Sequence, residues 1–499
     1  MKNLVFLSVL LVIGMALARW ALSRAANKVW PTRLLAVPLY PVFIGYLSPN
    51  AYIFMAALAL VPILVARDKR DVAAVMLVLF ATTPTFRVTF GEAGRLLLIT
   101  DSVAAVGVGS LIALMMKPGQ TVKSGYGVEV LMGVLLVAIF VIAEARDTTL
   151  LTYVRQTVST GLIVVAPIYV LTRTVRTRAD LEYLSIAIVT AAVALGVIGM
   201  YEGLRTWPLY QGIVAKLDQV QMMSLTRRVR GGFMRAPGPF AESTSFGFYL
   251  TLVLLFAIST DVYRSMFRKL VVIGVIGMAV FLTQSRGAWI GLLVGLIAML
   301  FHLRKTGLAT GLVLAAVLGY GVLSVIPTQG TVAELTGQAG GSADTATYRK
   351  QLLERGLEES RGHRLIGQDL ATVRLRLEDM RQGEGIIDFV NFYLYALLTT
   401  GLVGLFVFLA ISVHALKRTL PRPSYRRPRD RDARDAASHA LFAAMAAAMT
   451  MVAFTSLGDK NVIWYSIIIG LAGATGRLLH NQRSETRRPA PLAATPSPA

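Results

Sequence analysis

The sequence contains no cysteine, which excludes disulfides, thiolate metal sites and a cysteine nucleophile and leaves the redox compartment unread. Charge is scarce as well. Only 16% of the residues are Asp, Glu, Lys or Arg, against 55% hydrophobic. With a mean hydropathy of +0.61, a chain of 499 residues is far too apolar to be a water-soluble globule, and it is read as an integral membrane protein. Acidic residues are the scarcer kind, 28 against 50 Lys and Arg, and the net charge is +22. In a soluble domain that excess would suggest nucleic acid. Here much of it lies in short loops beside apolar runs, where it records topology, so no nucleic-acid partner is expected.

What the chain has in abundance is long apolar runs. A spanning helix takes roughly 20 apolar residues. Runs bounded by charge predict helices near 4–20, 33–47, 50–66, 71–84, 96–116, 128–144, 156–172, 181–203, 239–260, 269–284, 287–303, 307–326, 390–414, 438–456 and 461–479. Pro38, Pro41 and Pro62 interrupt the early runs. The fold class expected is all-α: a polytopic transmembrane bundle of about 12–15 helices with a large, partly helical extracytoplasmic loop. The segments are 1–203 (N-terminal helices), 204–238 (an Arg-rich loop), 239–326 (central helices), 327–389 (the large loop), 390–479 (C-terminal helices) and 480–499 (a Pro/Ala-rich disordered cytoplasmic tail).

Cytoplasmic loops are enriched in Lys and Arg. "ARDKR" (66–70), "RTVRTR" (173–178), "RSMFRK" (264–269), "RK" (304–305), the run from Lys417 to Arg434 and the tail from Arg477 to Arg488 fall on one side if helices alternate, and that side is taken as cytoplasmic. Both long connectors then face outward. The start, "MKNLVFLSVLLVIGMALAR", has the look of a signal peptide, but cleavage would leave Arg19, Arg24, Lys28 and Arg33 outside, so it reads as an uncleaved first helix with its N-terminus outside.

Against that bias, the outward connector "SLTRRVRGGFMRAPGPFAEST" (224–244) carries Arg227, Arg228, Arg230 and Arg235. Arg286 lies in "TQSRGAW" at an outer helix end, and Arg349 in "TATYRKQLLERGLEES" of the large loop. A single arginine at a membrane boundary is as well explained by snorkelling, its stem in lipid and its head at the phosphates. Three arginine regions on one face exceed that need. Guanidinium forks bind phosphate oxygens bidentately and keep their charge when partly buried, so several together suit a lipid-borne pyrophosphate. Other matches fail on context. "DRD" (430–432) lies in a solvated charge run and "GQAGGS" (337–342) lacks a strand-to-helix setting. Asp101 is an ionisable residue inside a span or marks a misplaced boundary, and Asp459 with Lys460 reads as a capped outer turn.

In order and topology the stretches "RAPGPFAESTSFGFYL", "TQSRGAWIGLLVGL", "YRKQLLERGLEESRGHRLIGQD" and "NFYLYALLTTGLVGLFVF" resemble the O-antigen ligase and polymerase family of bacterial envelope glycosyltransferases, over roughly residues 230 to 415. The resemblance implies transfer of an undecaprenyl-pyrophosphate-linked oligosaccharide onto a glycan or lipid acceptor at the periplasmic face of the inner membrane, with no cofactor and no metal. Membrane lipids and other polysaccharide-assembly proteins would be its partners. It gives Arg235 and Arg286 the pyrophosphate, with Arg230 and Arg349 beside them. One position departs: ligases of the family typically have a His-Asn pair where this chain has Val390-Asn391. Of five histidines only His363 falls outside, so Asp388 is the first candidate base and His363 the second, with Glu242 and Asn391 as further substrate contacts. Capping of the next helix explains Asp388 equally well. The missing histidine favours a polymerase or exopolysaccharide-type inverting transferase over a ligase. The alternative is a secondary transporter or lipid-linked glycan flippase, which would show paired mid-membrane ionisable residues and internal repeats; apart from Asp101 neither is evident.

Overall fold

In lipid no water satisfies the free N–H groups of a helix's first turn, so helices must begin where a side chain can accept from them. Asn50 accepts from Ile53 N, Asp68 from Asp71 N, Thr149 from Thr152 N and Ser265 from Arg268 N, and Thr177 forms a reciprocal capping box with Asp180. The computed structural model describes residues 2–91, 98–122, 127–217, 229–230, 232–325, 341–381, 387–420 and 436–487, and the side chains of these except in 320–346, 459 and 481–487. Arg227, Arg228, residues 337–340 of the glycine-rich stretch, residues 421–434 of the charge run with Asp430 to Asp432 among them, and the tail from 488 lie outside the described residues.

The protein is an all-α, multi-pass membrane protein. Among the described residues, Lys2–Ala21, Val128–Ala145, Leu150–Thr174, Arg178–Arg205, Phe392–Thr419 and Lys460–His480 are long and apolar enough to cross a membrane, and shorter apolar helices such as Ala51–Val65, Ser243–Ser259, Arg286–His302 and Ala436–Met451 pack among them. Arg178–Arg205 is apolar all round and almost wholly buried, as expected of a helix enclosed by others. Lys2–Ala21, Lys69–Thr82, Ser243–Ser259 and Met266–Leu282 surround it.

Two expectations need correction. The run at 96–116 is not one helix: Arg87–Phe90 and Leu98–Asp101 pair antiparallel, and the helix begins at Ala104. Thr89, Ile99 and Thr100 are β-branched and suit a hairpin. Asp101 therefore ends a strand, its Oδ1 accepting from Val103 N (3.1 Å) and Ser102 Oγ (3.3 Å), and does not lie inside a spanning helix. Asp459 and Lys460, read as a capped outer turn, open the helix Asp459–Arg487, and Lys460 there is completely buried.

Contacts sort the helix ends into two sets. At one, Thr85 N donates to Pro239 O (3.2 Å), Glu202 accepts from Leu209 N and Gly238 N, and Asn3 Nδ2 donates to Leu209 O (3.2 Å). At the other, Arg70 faces Asp180 (3.9 Å), Arg418 pairs with Glu129 (3.0 Å), His302 meets His439 Nδ1 to Nδ1 (2.8 Å), and Lys69, Arg176 and Arg477 line one cavity. The basic short loops thus gather at one end and the long connectors at the other.

The second connector holds the helices Gly341–Ser360 and Leu370–Arg376, which share a small core of Leu352, Val373, Leu377, Met380, Ile387 and Phe389 with Leu394 and Leu398 of Phe392–Thr419. That last helix is broken at Gly401 (φ 69°, ψ −165°). The turn 361–368 fills the break: Leu402 N donates to Arg364 O (2.7 Å), Val403 N to Leu365 O (3.2 Å) and Gln368 N to Leu398 O (2.8 Å).

Candidate active site

The site is built at the corner between Met266–Leu282 and Arg286–His302. Gln284 takes the left-handed conformation (φ 51°) that turns the chain, and Ser285 caps the second helix by accepting from Ala288 N (3.4 Å). That corner fixes the Arg-rich connector. Gln284 Nε2 donates to Arg230 O (3.0 Å) and Phe233 O (3.3 Å) at either side of the Val229–Arg230 and Phe233–Met234 hairpin. Ala236 N donates to Leu282 O (3.2 Å), and Arg235 Nε to Thr283 O (3.4 Å). Arg230 and Arg235 are thereby tied to the corner at which Arg286 opens its helix.

Helix Gly341–Ser360 delivers the third arginine region. Arg349 lies close enough to Arg230 and Arg286 to be repelled by both, and close enough to Asp388 to be attracted by it. Its Nε is buried and has no hydrogen-bond partner among the described residues. Burial pushes the Arg349 guanidinium below its ordinary value, Asp388 pulls it back up and Arg230 lowers it further. Tyr348, next along the helix, accepts a hydrogen bond from Asp388 N (3.1 Å); burial and then the Asp388 charge raise its phenol, against that hydrogen bond.

The structure thus brings together Arg230, Arg286, Arg349 and Asp388, with Arg235 bound to the same corner. Among the described residues, four guanidiniums and one carboxylate meet here, and the guanidiniums concentrate positive charge. Arg286 adds to it by standing at a helix N-terminus, where backbone N–H groups already present positive charge and a cation is disfavoured. Helix N-termini and guanidinium forks both bind anions with several oxygens.

The remaining candidates are not gathered there by any described contact. Asn391 is the N-cap of Phe392–Thr419, its Oδ1 taken by Tyr393 N (3.0 Å) and Leu394 N (3.2 Å). The capping role therefore belongs to Asn391, three residues after Asp388. Glu242 precedes Ser243–Ser259 without capping it and accepts from Thr244 Oγ1 (2.9 Å). His363 is exposed, in the turn that docks at Gly401 and beside Glu359. Two residues that hold the site, Gln284 and Tyr348, were not singled out from sequence. Gln284 acts through a positive φ at a helix corner, and Tyr348 through a contact 40 positions away, so neither leaves a local signal.

No curated protein matches the chain. Residues 270–409, from the helix before the Gln284 corner to beyond the Gly401 break, match the family described as O-Antigen ligase, and in that segment the chain is similar to membrane proteins of that family.

Proposed function

We propose that this membrane glycan-processing enzyme polymerises or transfers an undecaprenyl-pyrophosphate-linked oligosaccharide at the periplasmic face of the bacterial inner membrane. The observation that carries the reading is the convergence of Arg230, Arg286 and Arg349 with Asp388, at the end of the bundle opposite the basic loops. The family match over 270–409 supports the class of chemistry.

The reaction is an inverting displacement. The acceptor hydroxyl attacks the anomeric carbon as Asp388 takes its proton. The bond from that carbon to the pyrophosphate oxygen breaks, and its electron pair leaves with the pyrophosphate. Arg235 and Arg286 stabilise the charge that develops there, and Arg230 and Arg349 hold the ground-state diphosphate. Removal of a positioned base costs on the order of 10²- to 10⁴-fold in rate. Asp388 is preferred to His363 because it faces Arg349, whereas His363 lies beside Glu359 in the turn that docks at Gly401. The donor is a lipid-linked glycan, and the acceptor a glycan or lipid. Polymerase is favoured because Val390 stands where ligases of the family carry histidine.

The length distribution of surface polysaccharide in a deletion strain tests this. Single repeat units on the acceptor are expected for a polymerase. Long chains left unattached would make it a ligase, and an unchanged profile would remove both.

A further inference from the structure

Two ionisable side chains that the reaction does not use grip the same turn from opposite sides. Lys460 and Glu202 are each 0% exposed. Lys460 Nζ donates to Ala81 O (3.1 Å), Thr83 O (2.5 Å) and Pro239 O (3.1 Å), one carbonyl for each of its three protons, and lies 4.2 Å from the centre of the Phe240 ring. Glu202 accepts from Gly238 N (2.9 Å) through one oxygen and from Leu209 N (2.9 Å) through the other. The Gly238–Pro239 dipeptide is therefore held at the Gly238 N–H by an acid and at the Pro239 carbonyl by an amine. Thr85 N also donates to Pro239 O (3.2 Å), and Phe240 N closes the turn onto Pro237 O (3.1 Å).

Burying two charges is costly unless each is fully hydrogen-bonded, and a well-packed apolar pair would often stabilise the fold as well or better. What these charges fix is specific. The turn they hold begins three residues after Arg235, and between them Ala236 N, bonded to Leu282 O, and the Arg235 contact to Thr283 O join it to the arginine corner. We infer that Lys460 and Glu202 are positioning residues that clamp the Gly238–Pro239 turn and so set the place of the Arg235 guanidinium against Arg286. This rests on the pyrophosphate reading of the arginines. The clamp joins four separate stretches of chain: the end of Lys69–Thr82, the end of Arg178–Arg205, the connector before Ser243–Ser259 and the start of the last helix.

The test uses full-length protein in detergent or proteoliposomes. Lys460→Met keeps length and removes the donors; Glu202→Gln keeps volume but sets an amide N–H₂ against a backbone N–H. Hydrogen exchange is read in peptides covering 233–240, with Ala436–Met451 as the internal control. Each variant should speed exchange in 233–240 and leave the control unchanged, and the double variant should add little, because both release one turn. KM for an undecaprenyl-pyrophosphate oligosaccharide should rise about 10-fold or more, with kcat falling less, since a displaced guanidinium weakens ground-state grip first. Unchanged exchange in 233–240 in both variants would overturn the clamp, as would faster exchange with wild-type KM in both. If one variant does not insert, the other decides. Wild-type protein that turns over no such donor would defeat the functional reading, while the exchange data would still decide whether the clamp exists.

Discussion

Arg286 opens a helix whose first N–H groups already point positive charge at it, and Arg349 and Arg230 bring more of the same sign. A snorkelling anchor needs only charge, whereas a clamp on phosphate oxygens needs the planar fork. Arg286→Lys should therefore insert normally and lose most of its glycan transfer, by about 10-fold or more if one bidentate contact is lost. Full activity in the lysine variant would make Arg286 an anchor. Asp388 and Arg235 separate by stage of the reaction. Asp388→Asn should abolish turnover yet bind a radiolabelled polyprenyl-pyrophosphate donor almost normally, whereas Arg235→Ala should weaken donor binding too, because its charge is met in both the ground and the transition state. Unimpaired turnover in Asp388→Asn would pass the proton to His363, Glu242 or the substrate.

Phe392–Thr419 and the turn 361–368 complete each other as elements. At Gly401 the backbone takes φ 69°, and a Cβ there would lie 2.3 Å from the carbonyl carbon and oxygen of Leu365; one on Gly367 would lie 2.5 Å from Thr399 C. Those atoms are backbone and cannot swing aside. Gly401→Ala should cost about 1–3 kcal/mol and expel the turn from the break. A melt of the detergent-solubilised variant, with protease cleavage mapped over 361–368, reads both effects. A wild-type melting temperature and no new cleavage would show that the helix break tolerates a side chain. Because the connector's small core also packs on Leu394 and Leu398, loosening this joint should reduce transfer through Arg349, which rides on Gly341–Ser360.

Across the whole molecule, basic short loops gather at one end and the arginine corner at the other. Reporters fused after Val175, Arg304 and Pro428 should read cytoplasmic, and those after Gln221 and Gly340 extracytoplasmic. A cytoplasmic signal from Gln221 would put a periplasmic donor and the arginines on opposite faces and end the proposed reaction.

Apolar runs and their charged borders determined the membrane, the all-α class and most helix positions, because in lipid a helix must satisfy its backbone locally and the run that does so is written in one stretch of chain. The same logic failed at 96–116, where the hairpin answers the pairing of Val88 with Thr100 and of Phe90 with Leu98, and no window of one strand alone reveals it. The arginines were visible one by one, and their convergence was guessed from the order of loops. That Arg349 meets Asp388, that Gln284 turns the corner and that Lys460 is a buried tripod were decided only by tertiary structure. Each depends on partners 39 to 379 positions away, and a side chain's charge says nothing of which distant carbonyl will accept its protons.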